Sequence, residues 1–215
     1  ARENMGYAVP TGQPLMVSLA GQPFIDTRLS FHSYLPNTIP PTIAEKVVNH
    51  WIGHLKASPE LHDKVEFDIA ITTFSFDIDD KIGQLIGDAL TDSDKEEFKQ
   101  SHLKQTRELV KGEGAGSLKK ALDKIKILNA RQDKQNSSEL TPDISSLFRM
   151  VSDCIQYGTI PFSILARHGF IGKTILLSLQ HLDIITKDEA NQFQATIKTV
   201  ASDLLDDMHS LQLGK

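Results

Sequence analysis

The run from Pro14 to Pro36, PLMVSLAGQPFIDTRLSFHSYLP, constrains the fold of this chain more than any other stretch. Leu15, Val17 and Leu19 alternate with Met16, Ser18 and Ala20, and Phe24, Ile25 and Leu29 flank a polar Asp26-Thr27-Arg28. Gly21-Gln22-Pro23 lies between the two runs as a turn tripeptide, Gly being free to take positive φ and Pro presetting its own. The pattern predicts a β-hairpin with a short loop, its second strand running on past Asp26. On that strand Asp26, Arg28, Ser30, His32 and Tyr34 share one face by the period of two, and Phe31, Ser33 and Leu35 take the other. Two readings of the charged face stand. Asp26 and Arg28 form a solvated pair on a sheet edge, or a polar strand face points into a ligand cleft.

A chain of 215 residues holds one fairly large domain with ample core, here 1–215, with a possible sub-division into a hairpin-containing part, 1–80, and a helical part, 81–215. The formal charge of −5 opposes general nucleic-acid binding, which needs a basic face to displace counterions. No apolar run approaches the length of a membrane span; Ile171 to Leu179 is broken by Gly172-Lys173-Thr174. The single Cys154 has no partner for an internal disulfide and sits in an apolar helical context with Val151 and Ile155, which reads as a small buried hydrophobe. The first Met is Met5, so the start resembles a cut inside a longer protein, and a cytoplasmic location is expected.

After the stiff PNTIPP loop, Thr42 and Glu45 have capping-box spacing. Ile43, Val47, Val48, Trp51, Ile52 and Leu55 then form one helical face that stops near Ala57-Ser58-Pro59. Val65, Phe67, Ile69 and Ile71 alternate with polar or small residues, which predicts a third strand from Lys64 to about Phe76. Beyond it the chain reads as helices. Asp77, Asp79 and Asp80 cap one; Asp92-Ser93-Asp94 cap a second, carrying Phe98, His102 or Leu103, Leu109 and Val110. Ser117 caps a third, and Arg131 to Ser138 reads as a polar linker. Thr141-Pro142-Asp143 opens a helix that buries Leu147, Met150, Val151, Cys154 and Ile155 and ends at Gly158. A wide apolar band from Phe162 to Leu179 is interrupted by Arg167-His168, and an amphipathic helix with Phe193, Ile197, Val200, Leu204, Leu205 and Met208 closes the chain. The expected fold is mainly α with a small antiparallel β element, a helical bundle plus the N-terminal hairpin and a third strand.

Several local patterns imitate catalytic motifs. His50 and His54 are four apart, with His62 downstream, but the Glu of the zincin motif is missing and solvated helix residues explain them. FDIDD lacks EF-hand spacing. The GEGAG loop from Gly112 to Gly116 follows a helix rather than a strand and carries Glu113, so it reads as a turn rather than a phosphate cradle. Gly172-Lys173-Thr174 copies the end of a Walker A loop, but Arg167 occupies the position that needs Gly.

The run GQPFIDTRLSFHSYLP resembles a G-x-P-(F/Y)-I-D-x-R-x-S-F-x-S-(F/Y)-x-P segment of large bacterial proteins related to phosphoenolpyruvate synthase and pyruvate phosphate dikinase. Three more stretches are similar to that family: Met5-Gly6-Tyr7, His62 to Phe67 (HDKVEF) and Gly158 to Phe170 (GTIPFSILARHGF). The resemblance implies a helical, non-nucleotide domain lying between or beside an ATP-grasp module and a swivelling phosphohistidine domain of the same polypeptide. ATP and Mg2+ would then serve those modules, and this chain alone would neither hold a cofactor nor turn over ATP. Candidate residues for a small anionic substrate are Asp26, Arg28, Ser30 and His32, Lys64 and Glu66, and Arg167 and His168. Arginine suits such a ligand because its planar fork donates two parallel hydrogen bonds. The alternative is a helical protein–protein interaction module with no small-molecule site and an exposed apolar stripe.

Overall fold

The computed structural model describes residues 1–9, 12–111, 116–137, 143–197 and Met208. It is mainly α-helical with one two-stranded antiparallel sheet, the expected fold class. Strands β1 (Met16–Leu19) and β2 (Gln22–Ile25) pair with Met16 opposite Ile25 and Leu19 opposite Gln22. The turn is therefore Ala20-Gly21, not Gly21-Gln22-Pro23. Both turn residues have positive φ, 50° and 78°, the geometry that matches the twist of the flanking strands.

The second strand ends at Ile25 because Asp26 starts a helix. Its Oδ1 accepts the Leu29 N–H at 2.9 Å, capping α1 (Thr27–His32). Phe31, Tyr34 and Leu35, spaced three and one apart, are all buried, which is helical spacing rather than strand alternation. The polar strand face of Asp26, Arg28, Ser30, His32 and Tyr34 accordingly does not exist. Helix α2 (Pro41–Ala57) buries Ile43, Val47, Val48 and Trp51 as its periodicity predicts, but it starts at Pro41, with Thr42 already inside it.

The third strand is also replaced. Val65–Asp68 forms a short helix, α3, and residues 69–77 pass irregularly between helices with no ladder. Ile69 to Thr73 are buried without a break. Side chains satisfy the buried backbone where a neighbouring strand would otherwise do so. The Phe74 N–H donates to Thr106 Oγ1 (3.0 Å), the Phe76 N–H to Ser178 Oγ (3.2 Å), and Thr72 O accepts from both Tyr7 and Arg167. Helices α4 (Ile78–Leu85) and α5 (Asp92–Val110) follow, the latter capped by a reciprocal Thr91–Asp94 box.

Helix α6 (Ser117–Asn136) runs through most of the stretch expected as a linker. Its Arg, Gln and Lys side chains are good helix formers, and Arg131 is anchored by Asp153 at 2.5 Å and by the Tyr157 ring. Helix α7 (Ile144–Asp153) is capped by Asp143 and does not stop at Gly158. A π-helical segment, Cys154–Thr159, carries it directly into α8 (Ile160–His181). The longer hydrogen-bond spacing accommodates Pro161, which has no N–H to donate. Gly158 lies against α6, where a Cβ would come within 3.2 Å of Leu128. Thr186 caps α9 (Lys187–Ala195) through a second reciprocal box. The GEGA part of the Gly-rich loop, Thr141-Pro142, and Val200, Leu204 and Leu205 lie outside the described residues.

The larger core joins α1, α2, α4, α5 and the 69–78 segment around Trp51, with Phe31 edge-on to its ring at 5.9 Å. A smaller one joins Met5 and Tyr7 to Ala121 of α6 and Ile164 of α8. The expected burial of α7 does not hold: Leu147, Met150, Val151 and Ile155 are exposed, and so is Cys154. Amphipathic spacing marks an apolar face but cannot supply the element that covers it. Among the described residues no helix is long and apolar enough to cross a membrane.

Candidate functional site

The chain enters through Arg2, a short 3-10 turn over Glu3–Met5, and Tyr7. The Ala8 N–H donates to Leu35 O and the Asn37 N–H to Gly6 O, fastening this segment beside the end of α1. Helix α8 passes on the other side and sends Arg167 inward. The Arg167 Nε–H donates to Tyr7 Oη at 2.8 Å, Nη1 to Glu66 Oε2 at 2.5 Å and Nη2 to Thr72 O at 2.8 Å. Tyr7 in turn donates to Thr72 O at 3.2 Å, and the guanidinium lies 5.1 Å from its ring centre. One side chain thus clamps the N-terminal segment, α3, the irregular 69–77 segment and α8.

The clamp forms the wall of an open cleft of about 490 Å³. Arg2, Glu3, Gln13, Ser33, Glu66, Ser163 and Arg167 supply its polar groups, and Met5, Leu15, Leu29, Ala166 and Phe170 much of its apolar wall. That is the composition of a small-molecule site, mostly apolar with a few convergent polar groups. Arg2 stands at the rim, its Nη1 donating to Ser33 Oγ and, at 3.5 Å, to Ser30 O, with its guanidinium 4.5 Å from the Tyr34 ring centre. Among the described residues, its Nε and Nη2 have no hydrogen-bond partner, whereas all three Arg167 nitrogens are engaged. Donor capacity for an anion therefore lies more with Arg2 than with Arg167.

Of the residues singled out from sequence, Glu66 and Arg167 come together on the cleft. Asp26 serves as the α1 cap, and Ser30 contributes a carbonyl to Arg2. His32 is half-buried, its Nδ1 without a partner among the described residues. Lys64 is exposed ahead of α3. His168, next to Arg167 on the helix, turns toward α6, where Ser117 Oγ lies 2.9 Å from its Nε2; burial lowers its pKa. Arg28 is exposed and donates to Asn49 Oδ1 at 2.7 Å on α2, so it is no part of the cleft wall. Replacing Arg28 with methionine is expected to change folding stability by less than about 0.5 kcal/mol, as for other exposed polar contacts. Chemical denaturation checks this, and a loss several times larger would give the Asn49 bond a structural role.

Arg2, Tyr7, Ser33, Ser163 and Phe170 were not identifiable as site residues from sequence, because nothing in their local pattern shows that five separated segments meet. On α2, His50 is exposed and His54 half-buried. Among the described residues no three His, Cys, Asp or Glu side chains gather as a metal site. A fully buried histidine, His102, lies behind the clamp. Its Nδ1–H donates to Phe98 O at 2.9 Å, its ring lies tilted against that of Phe98 with centres 4.2 Å apart, and among the described residues Nε2 has no hydrogen-bond partner.

Comparison of this chain with protein-family models, with curated proteins and with solved structures returns no match.

Proposed function

We propose that this chain is a non-nucleotide domain of a phosphotransferase related to phosphoenolpyruvate synthase and pyruvate phosphate dikinase, and that the cleft beside Arg167 receives a small anionic substrate. One observation carries the reading. All four stretches that resemble that family reach the same cleft: Met5 from the first, Leu29 and Ser33 from the second, Glu66 from the third, and Ser163, Ala166, Arg167 and Phe170 from the fourth. These stretches lie far apart in sequence, and a shared pocket gives their residues a common purpose. In this reading ATP and Mg2+ belong to an ATP-grasp module of the parent polypeptide, a phosphohistidine domain carries the phosphoryl group, and the protein works in the cytoplasm. The cleft itself offers two carboxylates, Glu3 and Glu66, with Glu66 already held by Arg167, an arrangement poorly suited to Mg2+–nucleotide.

The test is a thermal-shift series with pyruvate, phosphoenolpyruvate and inorganic phosphate, run on the wild type, on Arg2→Met and on Ser163→Phe, which fills the cleft. Selective binding to the fold raises Tm. At least one of these anions should stabilise the wild type and lose that effect in both variants. Stabilisation that survives both substitutions, or none with any anion at millimolar concentration, contradicts the cleft assignment.

A second reading has its own observation. Helix α7 exposes Ile144, Leu147, Phe148 and Val151, with Ile144 75% and Phe148 70% accessible, the apolar stripe expected of an interaction module. An interaction module without a ligand site would show no anion-dependent stabilisation.

A further inference from the structure

The β1–β2 hairpin projects from the helical body, β1 packing on β2 and meeting other elements only in passing. Its strands, MVSL and QPFI, contain no charged residue in a chain that is 24% charged. Both faces are apolar and open: Val17, Leu19 and Phe24 are 37%, 57% and 49% accessible on one, Met16 and Ile25 60% and 56% on the other. A two-stranded sheet of this kind is marginal in water by itself.

The register tells which backbone groups face outward. The Asp26 N–H donates to Leu15 O at 2.9 Å, so Leu15–Asp26, Val17–Phe24 and Leu19–Gln22 are the hydrogen-bonded pairs. Met16–Ile25 and Ser18–Pro23 are the non-bonded pairs, and their N–H and C=O groups point away from the hairpin. On β2 the outward positions are Pro23 and Ile25; Pro23 has no N–H, so the outer edge of β2 lacks a donor in mid-strand and keeps only that of Ile25 at its end. On β1 the outward groups belong to Met16 and Ser18, and among the described residues nothing bonds them. The β1 edge therefore offers both of its outward donors, whereas the β2 edge is blunted by proline.

We propose that β1 pairs with β1 of a second copy of this chain, antiparallel across a two-fold axis at Val17. In that register Met16 of each copy exchanges both backbone hydrogen bonds with Ser18 of the other. Val17 then meets its own counterpart on the axis, a β-branched cross-strand pair, with Phe24 flanking on both sides. The four-stranded sheet that results, β2–β1–β1–β2, carries Pro23 in mid-strand on both outer edges. Two-fold pairing favours a second copy as the occupant: it uses the β1 edges of both copies and leaves outward only the β2 edges, where Pro23 opposes the addition of a further strand. The absence of charge on the hairpin leaves nothing to repel an identical strand.

Sedimentation analysis over a concentration series tests this on the chain and on two variants. Ser18→Pro removes the outward N–H of β1 just as Pro23 does on β2, and Val17→Lys sets two ammonium groups face to face on the axis. The wild type should populate a species of twice the monomer mass, and each substitution should weaken the association at least tenfold while far-UV circular dichroism stays unchanged. Amide exchange supplies a readout independent of the variants. The Met16 and Ser18 amides should be protected only at concentrations where the dimer forms, and those of Val17 and Leu19 at all concentrations. A wild type that remains monomeric throughout overturns the proposal. So does a dimer indifferent to both substitutions, or one in which the Met16 and Ser18 amides stay unprotected.

Discussion

Replacing Arg167 with methionine is expected to cost about 3 kcal/mol of folding stability, the scale for removing one partner of a largely buried ion pair. Methionine keeps much of the bulk and loses three bonds at once, to Tyr7, Glu66 and Thr72. Glu66 retains some access to water, its side chain being 22% exposed, which holds the loss below that of a fully buried orphan. Tyr7 still reaches Thr72 O, so the N-terminal segment keeps one of its anchors. The contrast with Arg28→Met separates a clamp from a surface contact. Urea midpoints measure both, and a double variant with Glu66→Gln should lose less than the sum of its parts because no carboxylate is then left unpaired. If Arg167→Met leaves the midpoint unchanged, the clamp contributes nothing to the fold. From sequence, Arg28 and Arg167 stood as equivalent candidates; the structure shows that they meet different partners in different places.

Acid should destabilise the protein before its carboxylates titrate, and His102 is the reason. Burial, aided by the nearby positive charge of Arg167, lowers its pKa from 6.5 to about 4, against the smaller upward pull of its backbone contacts. The unfolded chain takes up a proton near pH 6.5 and the folded chain only near pH 4. Stability from this group is therefore complete above pH 6.5 and falls as the pH drops to 4, by about 3 kcal/mol in all. Asp77 acts in a lower window. Burial works to raise its pKa, but bonds from Ser75 and Lys81 outweigh it, so its contribution is lost only below the usual carboxylate range. Urea midpoints between pH 7 and pH 4 should decline steeply for the wild type and much less for His102→Gln. Equal slopes would mean that His102 takes up its proton in the folded state as readily as in the unfolded chain.

The fold class was legible because long periodic segments are hard to misread, and α2 and its Trp51 face are the clearest case. Both errors in the β region have one source. Alternation of apolar residues predicts a ladder, but a single Asp26 cap turns one stretch into a helix, and side-chain hydroxyls that accept its backbone N–H groups allow the other to lie buried with no neighbouring strand. Local pattern reports which residues seek burial and says little about which groups will satisfy the backbone. Pro161 and Gly158 misled for a related reason, since a π-helical segment absorbs what would break an α-helix. The site was half legible. Glu66 and Arg167 could be picked out as charges set among apolar residues, whereas Arg2 and Ser33 become site residues only when the N-terminal segment and the end of α1 are brought together.

The central claim, that four separated family-like stretches build one anion-binding cleft, is tested most directly by a two-dimensional amide NMR titration with phosphoenolpyruvate. The account predicts saturable shifts that group around Met5, Leu29 to Ser33, Glu66 and Ser163 to Phe170, with α7 and the hairpin tip unmoved. Saturable shifts confined to α7, or none at millimolar ligand, would contradict it.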